Sequence, residues 1–385
     1  MLFFCPKWIT QKDIGLQVEF SPIEYARNKY IMKTKPKKNR YILLRIKILL
    51  VILVKGKISI NKILNVTTSW IAHKLKLTRT SKYPFMINFE LWNECKAECT
   101  FCRTIDGDIY DQNPSSSQNI PIPKGKMSLE LYKDVINQSK NHLLIAVLYV
   151  NGEPLLYNRV YEAIQYATDQ NVATVISTNG ELLTEANSKK LLEADLDFLK
   201  VAISGFSDET FLIQHRKCHI DKIKENLRII SRLKEKGNYR TLVMLDFIHY
   251  KYNEHELEEV KLFCIEYGFA FNARPGSLFK LKESHPDLLA KEKLQHDLDL
   301  PLKDLCEWPW KVMTINWNGE VFPCCDYVVW NDIKPLARFE TGKTDLSAVF
   351  NGEGATKNRS IHGSEGRKAI DICSTCPRTG TAFKY

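Results

Sequence analysis

Phe89-Glu90-Leu91-Trp92-Asn93-Glu94-Cys95-Lys96-Ala97-Glu98-Cys99-Thr100-Phe101-Cys102 sets three cysteines on one short segment, spaced C-x-x-x-C-x-x-C. Thiolates are the usual protein ligands of iron–sulfur clusters. Three of them on one loop hold three corners of a [4Fe–4S] cube and leave the fourth iron open to another ligand. A zinc site asks for four ligands, and no fourth lies nearby in sequence.

Outward from this segment the chain alternates between two patterns. Short apolar runs at residues 85–91, 144–150, 173–177, 198–204, 241–248 and 269–273 read as strands. Amphipathic runs at 128–140, 160–170, 183–194, 220–236 and 254–267 read as helices between them. Strands alternating with helices imply a parallel sheet. In barrels built this way, chemistry sits at the C-terminal ends of the strands. The polar motifs fall there: the cysteine loop after the first strand, Asn151-Gly152-Glu153-Pro154 after the second, Thr178-Asn179-Gly180 after the third and Gly205 after the fourth.

The cysteine spacing, the aromatic Phe101 before the last cysteine and the motif order resemble the radical S-adenosylmethionine (radical SAM) superfamily over residues 83–275. The resemblance implies an α/β fold, a partial (β/α)6 TIM-like barrel spanning residues 81–280, with a basic helical extension at 1–80 and a small cysteine-rich hairpin domain at 281–385. It implies that Cys95, Cys99 and Cys102 hold a [4Fe–4S] cluster whose open iron binds SAM. Gly152, Glu153 and Pro154 match the family's Gly-Gly-Glu-Pro, which binds the methionine amino group; Asn151 stands where that motif has its first glycine. Ser177 and Asn179, with Thr178, match a position facing the nucleotide end of SAM, as does Ser204. Asn253-Glu254-x-Glu256 resembles a helix-start stretch of the family and also reads as a simple cap. The implied chemistry is reductive cleavage of SAM, with one electron from a flavodoxin- or ferredoxin-like donor, to a 5′-deoxyadenosyl radical that takes a hydrogen atom from a C–H bond.

A second cysteine set follows. Cys306 and Cys324 are separated by 17 residues, with Gly319 five before Cys324, and Cys373-x-x-Cys376-Pro377 closes the set. Apolar runs at 312–317 and 320–322 flank Asn318-Gly319, a hairpin signal, which makes Cys306 and Cys324 neighbours. Four cysteines suit a structural zinc ribbon. They also resemble the SPASM/twitch extension of radical SAM enzymes, in its shorter, single-cluster form. In that reading Cys306, Cys324, Cys373 and Cys376 ligate one auxiliary [4Fe–4S] cluster that accepts an electron from the substrate, and Cys325 is a bystander or replaces Cys324.

Charge divides the chain. Residues 1–80 carry 17 Lys and Arg against 3 Asp and Glu, and residues 81–385 carry 38 against 42. The basicity belongs to the extension, which gives no support for a nucleic-acid groove across the body. Residues 41–54 are apolar but interrupted by Arg45 and Lys47, and fall short of the roughly 20 residues of a bilayer span. They read either as a helix buried on the next domain or as a basic interfacial helix in peripheral contact with a membrane. Eleven cysteines, an odd count without a cleavable signal, fit a reducing cytoplasm. Cys218 reads as a surface thiol or as a hydrogen donor at the barrel mouth. His215 and His219, at i and i+4, read as polar surface in the absence of a third ligand. The substrate reads as a sugar- or aminocyclitol-like small molecule, with a ribosomal peptide undergoing crosslinking or epimerisation as the alternative.

Overall fold

The structure, a computed structural model, describes residues 38–100, 102, 104–105, 108–110, 121–276, 287, 304–329 and 333–376. Six parallel strands form its centre: β1 (Met86–Phe89), β2 (Ile145–Val147), β3 (Ala173–Thr178), β4 (Phe198–Ile203), β5 (Leu242–His249) and β6 (Ala270–Pro275). Each pairs with the next in chain order. Helices α1 (Lys38–Val54) and α2 (Ile60–Lys74) precede them. The crossovers are α3 (Leu129–Ser139), α4 (Val160–Asp169), α5 (Glu185–Glu193), α6 (Ile220–Gly237) and α7 (Leu257–Glu266).

Every expected strand and helix is present, with shifted ends. The second strand stops at Val147 rather than 150 because the chain then turns, with Gly152 at φ +73°. Helix α5 starts two residues late because Thr184 caps it, its hydroxyl accepting from the Asn187 amide. Helix α2 ends at Lys74. Lys76 takes φ +54° and the Leu77 amide returns to the Ala72 carbonyl at 2.8 Å, closing the last turn.

Side chains alternate across the strands. Ile87, Phe89, Leu199, Val201, Leu245 and Phe247 face the helices in the main core. Met86, Ile145, Ala173, Phe198, Met244 and Ala270 face inward, where Leu44, Ile48 and Ile52 of α1 join them. These three residues stand at i, i+4 and i+8, so one stripe of α1 closes the N-terminal floor of the barrel. Burying each such side chain contributes on the order of 2 kcal/mol. A polar bracket fixes the turn after α1. Lys57 Nζ lies 2.7 Å from Asp197 Oδ2, and Lys55 Nζ lies 2.8 Å from Asp195 and 3.2 Å from Asp197. No described helix is long and apolar enough to cross a membrane.

The hairpin expected at 312–322 forms as β7 (Val312–Ile315) and β8 (Glu320–Phe322), with Gly319 at φ +89° in its turn. A third strand, β9 (Ala337–Arg338), completes it. The hairpin does not stand apart from the barrel sheet. Strand β7 runs parallel beside β1, Met86 opposite Val312 and Phe89 opposite Ile315. The nine strands follow the order β9-β8-β7-β1-β2-β3-β4-β5-β6, and the sheet does not close. An open parallel sheet leaves its first strand with unpaired amides and carbonyls, and β7 satisfies them. Beyond it lies α8 (Glu353–Ser364). A small three-stranded sheet of Thr104–Ile105, Asp108–Tyr110 and Pro121–Ile122, not read from sequence, follows the cysteine loop.

Candidate functional site

The cysteine loop leaves the C-terminal end of β1. Cys95, Cys99 and Cys102 are each partly buried and lie in one electrostatic neighbourhood with Glu153. Phe101 lies outside the described residues. Burial pushes the Cys95 thiol up to about 12 and Cys99 well above its ordinary value, with the neighbouring thiols adding to both. Thiols in such a place become thiolates when a metal supplies the compensating charge.

The loop is held by a segment whose polar sequence reads as surface. Residues 213–217 run antiparallel to it. The Thr100 amide donates to the Gln214 carbonyl at 2.8 Å, the Thr100 hydroxyl to the Ile213 carbonyl at 3.0 Å and the Lys217 amide to the Ala97 carbonyl at 3.1 Å. His215 forms a bridge with Cys99. It is buried, stacks on Phe211 with ring centroids 4.3 Å apart, and places Nδ1 2.7 Å from Ser204 Oγ. Burial pushes this imidazole down to about 3, so it stays neutral near pH 7. His219 is exposed, so the two histidines do not form a pair. Ser204, expected at the nucleotide end of SAM, is fully buried with its hydroxyl on His215. Cys218 is not a surface thiol: it is buried, in electrostatic contact with Cys99 and Cys95.

The turn after β2 packs directly on the cysteine loop. A Cβ on Gly152 would sit 2.6 Å from the Trp92 carbonyl oxygen and 2.8 Å from the Asn93 backbone, so only glycine fits. The Glu153 amide donates to the Glu94 carbonyl at 2.8 Å. Its carboxylate accepts from Thr178 Oγ1 at 2.8 Å, the Asn179 amide at 3.0 Å and the Leu155 amide at 3.2 Å. Burial pushes this carboxyl up, and those three donors oppose the push. Pro154 is buried and opens a short 3₁₀ turn capped by Glu153. Asn179 Nδ2 lies 4.0 Å from Cys95 Sγ, and Ser177 is partly buried beside it. Behind this rim, Asn253 Nδ2 donates to the Ser204 carbonyl at 2.7 Å and Glu256 accepts from the Phe206 amide, Ser207 and Thr210. Both residues therefore lock the β4 and β5 loops together, a role beyond capping.

Inside the barrel, above the apolar floor, lies a polar set missed in the sequence because its members are scattered. Asp246 on β5 is fully buried and pairs with Lys200 of β4 at 2.9 Å and Arg274 of β6 at 2.7 Å, while Asn272 Nδ2 donates to its other oxygen at 2.6 Å. Burial alone would push the Asp246 carboxyl up, but the two cations overcome it and hold it below the usual carboxylate range. Asn88 Nδ2 donates to Thr314 Oγ1 at 3.0 Å across β1 and β7, and Asn151 Nδ2 to Glu90 at 2.5 Å.

The C-terminal cysteines lie in one neighbourhood, in which Cys306 and Cys324 share Cys373 and Asp326. Cys306, Cys324 and Cys325 pack against the floor cluster, and Cys324 and Cys373 against Phe322, Tyr327, Val328 and Ile372. Cys324 lies in electrostatic contact with Cys325, Cys373 and Cys376, and Cys306 with Cys373. Arg367, buried and unremarked in the sequence, ties the set together. Its Nε donates to the Cys373 carbonyl at 3.0 Å, its Nη2 to the Cys376 carbonyl at 2.7 Å and its amide to the Asp304 carbonyl at 2.9 Å. Among the described residues, no three His, Cys, Asp or Glu side chains gather as tightly as one metal ion needs. A four-iron cube, with a separate iron for each thiolate, asks for no such convergence. In both places free, partly buried thiols are the donor set such a cluster takes.

Fold and site together define an open parallel α/β barrel with a three-cysteine loop at the top of its first strand and a second cysteine set on an added hairpin. The model of the radical SAM superfamily matches residues 89–264, and that of the SPASM iron–sulfur cluster-binding domain matches 306–377. The chain belongs to the radical SAM superfamily and carries a C-terminal SPASM domain. It is therefore an enzyme of a family that uses a [4Fe–4S] cluster with SAM and, through that domain, auxiliary iron–sulfur clusters. The zinc-ribbon reading of the C-terminal cysteines gives way accordingly.

Among curated proteins it is similar to an S-adenosylmethionine-dependent nucleotide dehydratase of Lacinutrix mariniflava, 29% identical over 139 residues, 36% of this chain and 27% of that protein. An AdoMet-dependent heme synthase of Methanosarcina barkeri is 29% identical over 127 residues, 33% of each chain. The match thus spans a third or less of the length of these two relatives. Among solved structures, Streptococcus suis SuiB bound to S-adenosylmethionine shares the fold, with a TM-score of 0.55 and 15% identity over 80% of this chain and 74% of that one.

Proposed function

We propose that this enzyme oxidises a small molecule rich in hydroxyl or amino groups, of the sugar or aminocyclitol class, inside the barrel lumen. The observation that carries the reading is the buried set around Asp246. Lys200, Arg274 and Asn272, gathered on Asp246, bring donors and acceptors together inside the barrel. Buried polar groups of this kind favour a ligand that completes their hydrogen bonds and reject an apolar one.

When bound, the cluster and SAM supply, for one electron from a reduced flavodoxin- or ferredoxin-like donor, a 5′-deoxyadenosyl radical able to take a hydrogen atom from a C–H bond. Cys95, Cys99 and Cys102 would ligate that cluster. Gly152 lets the β2 turn approach the cysteine loop, and Glu153, with Ser177 and Asn179 near it, would orient SAM. Cys306, Cys324, Cys373 and Cys376 would hold a single auxiliary [4Fe–4S] cluster as acceptor of the second electron. With a proton released, the net change is alcohol to ketone. Asp246, its oxygens taken by Lys200, Arg274 and Asn272, would hold those side chains in place for a substrate and would not act as a base at neutral pH. Cys218 is 1% exposed and so not open to a substrate radical, which supports oxidation over thiol-mediated epimerisation.

The test is deuterium transfer. Anaerobically reconstituted enzyme, given carbon-deuterated aminocyclitols and sugars beside a deuterated peptide pool, is expected to carry label into 5′-deoxyadenosine from a polyol and to release a ketone. Label arriving only from peptide would overturn the reading in favour of peptide maturation.

A further inference from the structure

Helix α2 is packed inside out. Its polar residues Lys62, Asn65, Ser69 and His73 are buried. Asn65 Nδ2 donates to the Tyr83 and His142 carbonyls at 3.0 and 3.1 Å, and Ser69 Oγ lies 2.7 Å from Ser81 Oγ. Its apolar residues face out: Ile60 is 74% exposed and Trp70 52%, with Ile63, Leu64 and Ile71 beside them. Helix α1 carries apolar residues on both its buried and its exposed side. While Leu44, Ile48 and Ile52 seal the barrel floor, Ile46, Leu49, Leu50, Leu53 and Val54 stand exposed at i, i+3, i+4, i+7 and i+8. Of the fourteen large apolar side chains exposed among the described residues, twelve lie between Ile46 and Leu77. An apolar surface concentrated in this way marks a contact face.

Charge selects what covers it. From residue 25 to residue 89 the chain holds sixteen Lys and Arg and no Asp or Glu. Lys47, Lys74, Lys76 and Arg79 are exposed on or beside the two helices, and Lys74 Nζ sits 5.7 Å over the Trp70 ring. A second copy of this chain would bring like charges face to face, because a two-fold interface uses the same patch twice. Nucleic acid would meet the cations but leave the leucines and isoleucines in water. A bilayer with anionic headgroups satisfies both features, with apolar side chains at the acyl boundary, Trp70 at headgroup depth and cations on phosphates.

We infer that the exposed face of α1 and α2 docks on an anionic phospholipid membrane surface. Because α1 closes the N-terminal floor of the barrel, docking leaves the cysteine loop, at the opposite ends of the strands, turned toward the aqueous phase.

The full-length, cluster-reconstituted protein would be floated with phosphatidylcholine vesicles and with vesicles of phosphatidylcholine mixed with phosphatidylglycerol. Wild type is expected to rise with the mixed vesicles only, and raised salt to weaken its binding. The double variant Leu49→Glu/Leu53→Glu and the single variant Trp70→Glu, each placed on the exposed side and checked for unchanged iron content, are expected to lose at least about tenfold in partitioning. Wild type that stays with neither vesicle overturns the inference, whether sedimentation then shows a dimer dispersed by the same variants or a monomer whose face is covered by residues 1–37. Equal binding to both vesicle types, or binding indifferent to the variants, overturns it as well.

Discussion

Cys99 and His215 face one another across an isolated antiparallel bridge, and the far side of the His215 ring is fixed by Ser204 2.7 Å away. A ligand loop is thereby tied to the end of β4 by a buried, neutral histidine. Removing its ring leaves the Ser204 hydroxyl buried without that partner, at a cost of about 1–3 kcal/mol. His215→Ala is expected to lower the thermal midpoint and to retain less iron after reconstitution, whereas Arg216→Ala, on the exposed side of the same segment, changes neither. Equal iron in His215→Ala and Arg216→Ala would contradict a positioning role for His215.

Gly152 tests the contact between the two loops. Alanine there must move the Trp92-Asn93 backbone and adopt a positive φ, a strain of about 1–3 kcal/mol before any clash. Gly152→Ala is expected to weaken SAM binding, read by equilibrium dialysis, at least about tenfold. Unchanged affinity would show that the turn has room the geometry denies.

The Asp246 set predicts a pH signature. A carboxyl held below its ordinary value contributes stability that is present above that value and lost as pH falls through the folded one. In urea unfolding of the cluster-free chain, wild type is expected to exceed Asp246→Asn by a constant margin near neutrality. The margin should shrink below about pH 4, where an ordinary carboxyl protonates. A margin that grew on acidification would reverse the sign and refute the ion pairing. Lys200→Met, which leaves Arg274 in place, should cost less than Asp246→Asn.

Arg367 predicts a selective loss at the second cysteine set. It binds the carbonyls of Cys373 and Cys376, so Arg367→Met frees the C-x-x-C turn while β1 and its loop stay intact. Iron should fall from about eight to about four atoms per chain, with SAM cleavage retained. Full iron in the variant, or loss of both clusters together, would contradict the assignment.

Much of this was legible in the residues themselves. The six strand–helix units, the cysteine loop and the Asn-Gly hairpin all follow from local pattern, since each element carries its own periodicity or turn residue. What was not legible depends on pairing between distant segments. The seating of β7 on β1 is a choice of edge that no local signal encodes. His215 sits in a stretch rich in charged and polar residues, Gln214-His215-Arg216-Lys217, and reads as surface until the cysteine loop folds over it. Asp246, Lys200 and Arg274 lie on three strands, each a lone charge in an apolar run. Arg367 likewise acquires meaning only when Asp304 and Cys376 are brought to it.

The central claim is tested most directly by 5′-deoxyadenosine formation from SAM and dithionite under anaerobic conditions, with iron and sulfide measured on the same samples. Wild type is expected to form it, and the combined variant Cys95→Ala/Cys99→Ala/Cys102→Ala to form none while keeping the iron of the second cysteine set. A wild-type protein with zinc in place of iron, or a triple variant as active as wild type, would contradict the account.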